Sequence, residues 1–88
     1  MQYTSSMIEV RQLLWDDWNI EHIARHSVVP REVAEVCHGD VLALTSHTNR
    51  IIVFGLTAAG RILAVELSPQ AEAGVYYVVM ARTASNKE

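Results

Sequence analysis

The sequence holds only one cysteine, two prolines and one phenylalanine in its 88 residues. A lone thiol, Cys37, cannot close an internal disulfide, which excludes a disulfide-stapled domain and agrees with a reducing compartment. No apolar run approaches the roughly 20 residues that a membrane-spanning helix needs. The N-terminal stretch MQYTSSMIEV lacks the basic and then apolar layout of a signal peptide. We therefore expect a cytoplasmic protein without a membrane partner.

Positive charge is also scarce. Seven Lys and Arg residues stand against ten Asp and Glu residues, a net charge of −3, which excludes a chain that attracts nucleic acid through its overall charge. The two halves differ, because residues 1–40 carry three bases and seven acids, a net charge of −4, whereas residues 41–88 carry four bases and three acids, a net charge of +1. An anion site is therefore expected in the second half.

Apolar residues are abundant, at 50% of the chain, which is enough for one small core. We predict a single domain over residues 1–88, with flexible tails at 1–7 and 83–88. The predicted fold class is α+β, with two short N-terminal helices packed on a four- to five-stranded, largely antiparallel meander sheet.

Two helices are predicted in the first half. Asp16 is suited to cap a helix over 16–26, because its carboxylate can accept hydrogen bonds from the unpaired amides of the first turn. Pro30 is a favoured first helical residue and Gly39 a favoured stop, which predicts a second helix over 30–38.

Strand-like segments dominate the second half, and a further short strand is expected over 8–14. The strands of the meander are predicted at 41–46, 51–56, 61–67 and 75–81, each separated from the next by turn residues. The second and the fourth are apolar on both faces, so we expect them in mid-sheet with both faces covered. Two short helices can cover only one face, so a second copy, the N-terminal strand or a partner protein should shield the other.

The stretch WDDWNIEHIARHSV concentrates tryptophan and histidine in the first helix. A spacing of 100° per residue separates an apolar stripe from an aromatic one. The apolar stripe comprises Ile20, Ile23 and Ala24, and the aromatic stripe comprises Trp15, Trp18, His22 and His26. Burial of the indoles beside hydrogen-bonded histidines is the plainest explanation. Alternatively, the histidines are acid/base or phosphate-binding groups at a nucleic-acid site, where indoles can stack on bases.

A metal site is a third explanation for the two histidines. His22 and His26 have the i, i+4 spacing of a helical ligand pair. A third ligand would come from His38, Asp40 or Cys37, none of which has a diagnostic spacing.

Several motifs resemble, in their order, those of a known family. They are WDDWNIEHIARHSVVPREVAEV followed by Gly-Asp, then Arg50 before a strand, then GRILAVEL, then YYVVMAR. This arrangement, from residue 14 to residue 82, resembles the BrnT family, small ribonuclease toxins of type II toxin-antitoxin systems with a RelE-like α+β fold. The sequence departs from the family pattern at Met80, which stands where the family usually has Ser or Thr, and in the family's Lys between Trp-Asp and the first Asn, which has no clear counterpart here.

The resemblance implies metal-independent RNA cleavage without a cofactor and binding by an antitoxin protein. In such a reaction the ribose 2′-OH attacks the adjacent phosphate, which needs acid/base groups and cations. The resemblance assigns acid/base catalysis to His26 or His22. It assigns phosphate binding to Arg50, Arg61 and Arg82, whose planar guanidinium groups can bind two phosphate oxygens at once.

Two other functions stay open. The first is a non-catalytic interaction module on the same scaffold, which forms a homodimer through an apolar sheet face. The second is a metal-dependent hydrolase that uses His22 and His26.

Overall fold

The structure is a computed structural model that describes residues 4–45 and 48–84. It contains two helices and a six-stranded mixed sheet in the order β1-β3-β4-β5-β6-β2. The elements, in chain order, are β1 (Thr4–Val10), β2 (Gln12–Leu14), α1 (Asp17–Ala24), α2 (Pro30–Cys37), β3 (Gly39–Thr45), β4 (Ile51–Leu56), β5 (Ile62–Pro69) and β6 (Val75–Thr83). The α+β class and the antiparallel meander from β3 to β6 are confirmed.

The two predicted helices are present, but two strands and not one precede them, and the sheet has six strands where four or five were expected. The single strand expected over 8–14 is divided at Arg11: β1 pairs antiparallel with β3 at one edge of the sheet, and β2 pairs parallel with β6 at the other. Only one residue separates the two strands, so the edges must approach each other and the sheet must curl. Strand β1 begins at Thr4, inside the segment expected to be a tail, and Met1 to Tyr3 lie outside the described residues.

Curling gives the sheet an inner face, which carries the core, and an outer face. Along each strand alternate side chains point inward, as the pleat requires. Buried inward-facing residues and residues of the helical segment form one cluster: Val10, Ile23, Val28, Val33, Val36, Cys37, Ala43, Ile51, Val53, Leu63, Val65, Leu67, Tyr76, Val78 and Ala81. A register shift opposite Glu66 and Leu67 leaves Val79 as an extra residue in β6. This bulge lets Val78 and Ala81 both face the core.

Helix α1 begins at a reciprocal cap between Asp16 and Asn19. The Asp16 side chain accepts a hydrogen bond from the Asn19 amide, and the Asn19 side chain accepts one from the Asp16 amide, both at 2.9 Å. Asn19 is fully buried, and its Nδ2 also donates to the carbonyl oxygens of Leu14 and Val78, at 3.0 and 2.9 Å. One amide side chain therefore joins the end of β2, the start of α1 and the middle of β6.

Helix α2 packs on β4 and β5, where close approach requires a glycine. A Cβ atom on Gly55 would lie 2.9 Å from Cγ1 of Val36, which is too close for an ordinary contact. The helix begins at Pro30, as predicted, and the Glu32 carboxylate accepts a hydrogen bond from the Val29 amide at 3.2 Å. Both helices lie on the inner face, so no helix of the described residues covers the outer face.

Candidate functional site

The aromatic stripe predicted for the first helix is present in part. Trp18 and His22 stack with ring centroids 4.7 Å apart and ring planes 11° apart. The rings of His22 and His26 meet edge to face at 6.3 Å. Trp18 is 56% exposed. Trp15 does not join the stripe, because it precedes the helix and packs against the core.

Arg61 immediately precedes β5, and its side chain contacts the turn that leads from α1 to α2. Its Nη1 donates to the Ser27 carbonyl oxygen at 2.7 Å and to both carboxylate oxygens of Glu32 at 3.1 and 3.2 Å. Its Nη2 donates to the His26 carbonyl oxygen at 3.2 Å, and Nη2 and Nε both donate to Thr83 Oγ1, at 2.8 and 3.1 Å. These contacts engage the whole guanidinium fork.

The contacts of Arg61 fix an unusual backbone conformation. Ser27 has φ = 61°, in the left-handed region that non-glycine residues seldom adopt. The carbonyl oxygens of His26 and Ser27 both point at the guanidinium. Arg61 thus fastens the α1–α2 turn and the first turn of α2 to the end of β6, a structural role that the sequence did not predict.

The other two predicted arginines lie on the outer face of the sheet. Arg50 Nη1 donates to Glu66 Oε2 at 2.6 Å, and the Glu66 side chain points outward because its neighbour Val65 points into the core. Arg82 follows the buried Ala81 and therefore also points outward. Within residues 4–45 and 48–84, the Arg82 side chain makes no hydrogen bond or ion pair.

The predicted site residues are therefore divided between two faces. His22, His26 and Arg61 lie on the side of the helices. Arg50 and Arg82 lie on the opposite side of the sheet. The structure brings the two histidines together, but it does not place all three arginines around them.

A metal site at the histidine pair lacks a third ligand. Within the ranges that the structure describes, no group of three or more His, Cys, Asp and Glu residues could hold a metal ion. Cys37 is buried in the core, and this burial raises the pKa of its thiol to about 12. A thiol with so high a pKa is neither a ready nucleophile nor a ready metal ligand at neutral pH.

The outer face is the larger unexplained surface. Five large apolar side chains with 44 to 63% of their surface exposed lie on it, namely Met7, Leu42, Phe54, Leu56 and Ile62. The expectation that both faces of β4 would be covered was wrong for the single chain, because Phe54 and Leu56 face solvent. The expectation that the two helices would leave one face open is confirmed.

Comparison with known proteins adds no assignment. The chain matches no known protein family, no curated protein and no solved structure. The resemblance to the BrnT family is therefore neither supported nor refuted. Among the described residues, no helix is long and apolar enough to cross a membrane.

Proposed function

We propose that this chain is a protein-interaction domain that forms a homodimer through the outer face of its sheet. One observation carries the proposal, namely that the outer face exposes large apolar side chains over several neighbouring strands. Contiguous apolar patches are small on most monomeric proteins, and larger ones usually mark an interface.

The exposed side chains form continuous rows across the strands. Met7 lies opposite Leu42 in the β1–β3 pair, and Phe54 lies opposite Ala64 in the β4–β5 pair. The β3–β4 register, which pairs Ala43 with Val53, brings Leu42 next to Phe54. A second row includes Leu44 opposite Ile52, and a third pairs Leu56 with Ile62. The surface is thus one patch and not a set of scattered apolar residues.

The size of the patch suits a small dimer interface. A half-exposed large side chain offers on the order of 100 Å², so the five exposed apolar residues of the patch offer about 500 Å². A standard interface buries about 800 Å² on each partner. The half-buried Leu44, Ile52 and Met80 and the polar rim lie beside the patch and can supply the remainder.

The charges around the patch favour a second copy over RNA. Arg50 is already paired with Glu66 on its own chain, so Arg82 is the one unpaired base on the described part of this face. Asp40, on β3, lies toward the opposite side of the patch. A two-fold axis parallel to the strands would place the β6 side of one copy against the β3 side of the other. Arg82 would then lie over β3 of the partner, two residues along the strand from Asp40, so that the long arginine side chain can approach that carboxylate.

The test is the oligomeric state, measured by sedimentation equilibrium in the micromolar range. We expect the wild type to be a dimer and Phe54→Asp to be a folded monomer. The variant should fold because Phe54 is exposed in the single chain, and it should not dimerise because the interface would bury the charge of the aspartate. Trp18→Asp is the matched control, since Trp18 is exposed to a similar degree on α1 and should leave the dimer intact. A monomeric wild type, or equal effects of the two variants, would overturn the proposal.

A ribonuclease of the BrnT type is the second candidate. The observation that favours it is the ring cluster of Trp18, His22 and His26, of which Trp18 and His26 are exposed, since aromatic rings can stack on bases and imidazole can transfer protons near neutral pH. We expect a toxic ribonuclease to slow the growth of the host that expresses it, and His26→Ala to relieve the effect at equal protein level. Harmless expression of the wild type would count against this candidate.

A further inference from the structure

A cleft of about 300 Å³ lies between the end of β1 and the turn that precedes β6. Its walls are Ile8, Glu9, Arg11, Ala73, Gly74 and Tyr76. This volume is large enough for a single amino-acid residue of any size.

The cleft has a rigid base. The amides of Arg11 and Gln12 both donate to the carbonyl oxygen of Gly74, at 2.8 and 3.1 Å. Gly74 has φ = 85°, and a Cβ atom there would lie 2.5 Å from Cδ of Arg11. The Arg11 stem therefore packs against the backbone of Gly74, in space that any other residue's Cβ would occupy.

Tyr76 supplies a polar group that no atom of the described residues satisfies. The residue is only 9% exposed, and its hydroxyl makes no hydrogen bond within the described chain. No buried side-chain oxygen or nitrogen among these residues lacks a partner, so the hydroxyl must lie at the small accessible part of the side chain. Tyr76 is also one of the residues that line the cleft.

Two unpaired charges of opposite sign accompany this hydroxyl. Neither Glu9 nor Arg11 forms an ion pair within residues 4–45 and 48–84. The two residues are separated only by Val10, which points into the core. Ile8 and Ala73 add apolar wall. The cleft thus combines one cation, one anion, one hydroxyl and an apolar surface.

We propose that this cleft binds a free α-amino acid with an aliphatic or aromatic side chain. Arg11 binds the carboxylate, because a guanidinium can donate two parallel hydrogen bonds to it. Glu9 accepts from the ammonium group, and the Tyr76 hydroxyl donates to the carboxylate. The apolar side chain packs against Ile8 and Ala73. A simple carboxylate lacks the group that Glu9 recognises, and a simple amine lacks the group that Arg11 recognises.

The experiment is a titration of the ¹⁵N-labelled full chain with L-leucine, followed by two-dimensional NMR. We expect saturable shifts at the amides of Ala73 and Gly74. The matched probes are 4-methylpentanoate, which lacks the ammonium group, and isopentylamine, which lacks the carboxylate; both should bind at least about tenfold more weakly, since each loses one charge-assisted contact.

Substitutions of Arg11 and Glu9 test separately which charge binds which group of the amino acid. Arg11→Gln should weaken both L-leucine and 4-methylpentanoate by about tenfold or more, whereas Glu9→Gln should weaken L-leucine alone. Tyr76→Phe keeps the ring and should weaken L-leucine a few-fold. Arg31→Gln is the control, because Arg31 is an exposed arginine on α2 and should leave binding unchanged.

Three outcomes would overturn the proposal. They are the absence of saturable shifts with L-leucine, equal binding of L-leucine and 4-methylpentanoate, and full binding by a folded Arg11→Gln variant. None of these depends on the dimer, so failure here leaves the proposed function standing. Conversely, a monomeric wild type that still binds L-leucine would overturn the proposed dimer and leave the amino-acid site standing.

Discussion

Arg61 offers the sharpest test of how this structure should be understood. The resemblance to a ribonuclease family makes it a phosphate-binding residue, whose removal should reduce RNA binding and leave the fold intact. In the structure, the guanidinium group of Arg61 instead donates hydrogen bonds to Ser27, Glu32, His26 and Thr83. We therefore expect Arg61→Ala to destabilise the protein.

The magnitude follows from the exposure of the ion pair. The side chains of Arg61 and Glu32 are 28% and 16% exposed, between a surface pair, worth about 0–1 kcal/mol, and a buried pair, whose disruption costs about 3–5 kcal/mol. Loss of the two carbonyl contacts adds to this, because Ser27 is then held at positive φ without support. We expect Arg61→Ala to lower the free energy of unfolding by about 2–3 kcal/mol, and the melting temperature by about 10 °C or more.

The assay is urea unfolding followed by tryptophan fluorescence, with a double-mutant cycle. Glu32→Gln retains an oxygen that can accept from the Val29 amide, so it removes mainly the interaction with Arg61. We expect the two changes to be coupled by about 1 kcal/mol. Arg61→Lys should recover only a small part of the loss, because one ammonium cannot reach the acceptors that the planar fork spans.

The reasoning is refuted if Arg61→Ala changes the free energy of unfolding by less than about 0.5 kcal/mol, the range of an ordinary surface substitution. Such a result would leave Arg61 free to bind phosphate. Arg31→Ala is the matched control, because the Arg31–Glu35 pair, at 3.5 Å, lies on the exposed surface of α2 with 76% of the Arg31 side chain exposed. It should have almost no effect.

Three further predictions concern single side chains. Asn19→Ala should lower the free energy of unfolding by about 3 kcal/mol, because it leaves the buried Val78 carbonyl without its donor; urea unfolding measures this, and a loss under about 1 kcal/mol would contradict it. Cys37 should resist a thiol reagent in the native protein even at pH 9, since burial raises its pKa to about 12, and should react once urea unfolds the chain; rapid native labelling would show that the thiol is accessible. Tyr77 should ionise above its ordinary range, because desolvation and the hydrogen bond to Asp16 raise its pKa. Its contribution to stability is therefore present at neutral pH and lost as the pH rises through its folded-state pKa. Ultraviolet titration of the phenolates should show one high transition that Tyr77→Phe removes, and an unchanged titration would refute the assignment.

The sequence by itself determined most of the local structure. Observed α1 and α2 lie within the predicted segments 16–26 and 30–38, and β4 has the predicted bounds, Ile51–Leu56. These features depend on neighbouring residues: Asp16 can cap only the helix that follows it, and Pro30 can begin only its own helix. The apolar pattern also predicted that one sheet face would need a cover, because two strands are apolar on both faces and two short helices can cover only one face of the sheet.

Only the tertiary structure decided where distant residues lie relative to one another. The division at Arg11 sends β1 and β2 to opposite edges, and this depends on pairing with β3 and β6, which no local pattern encodes. Asn19 gave one local signal, an amide three residues after Asp16, but its bond to Val78 spans 59 positions. The same holds for the candidate site. Arg61 and Arg82 looked alike as arginines beside strands, yet sheet pleating and helix packing place one under the α1–α2 turn and the other on the outer face, because alternate residues of a strand point to opposite sides.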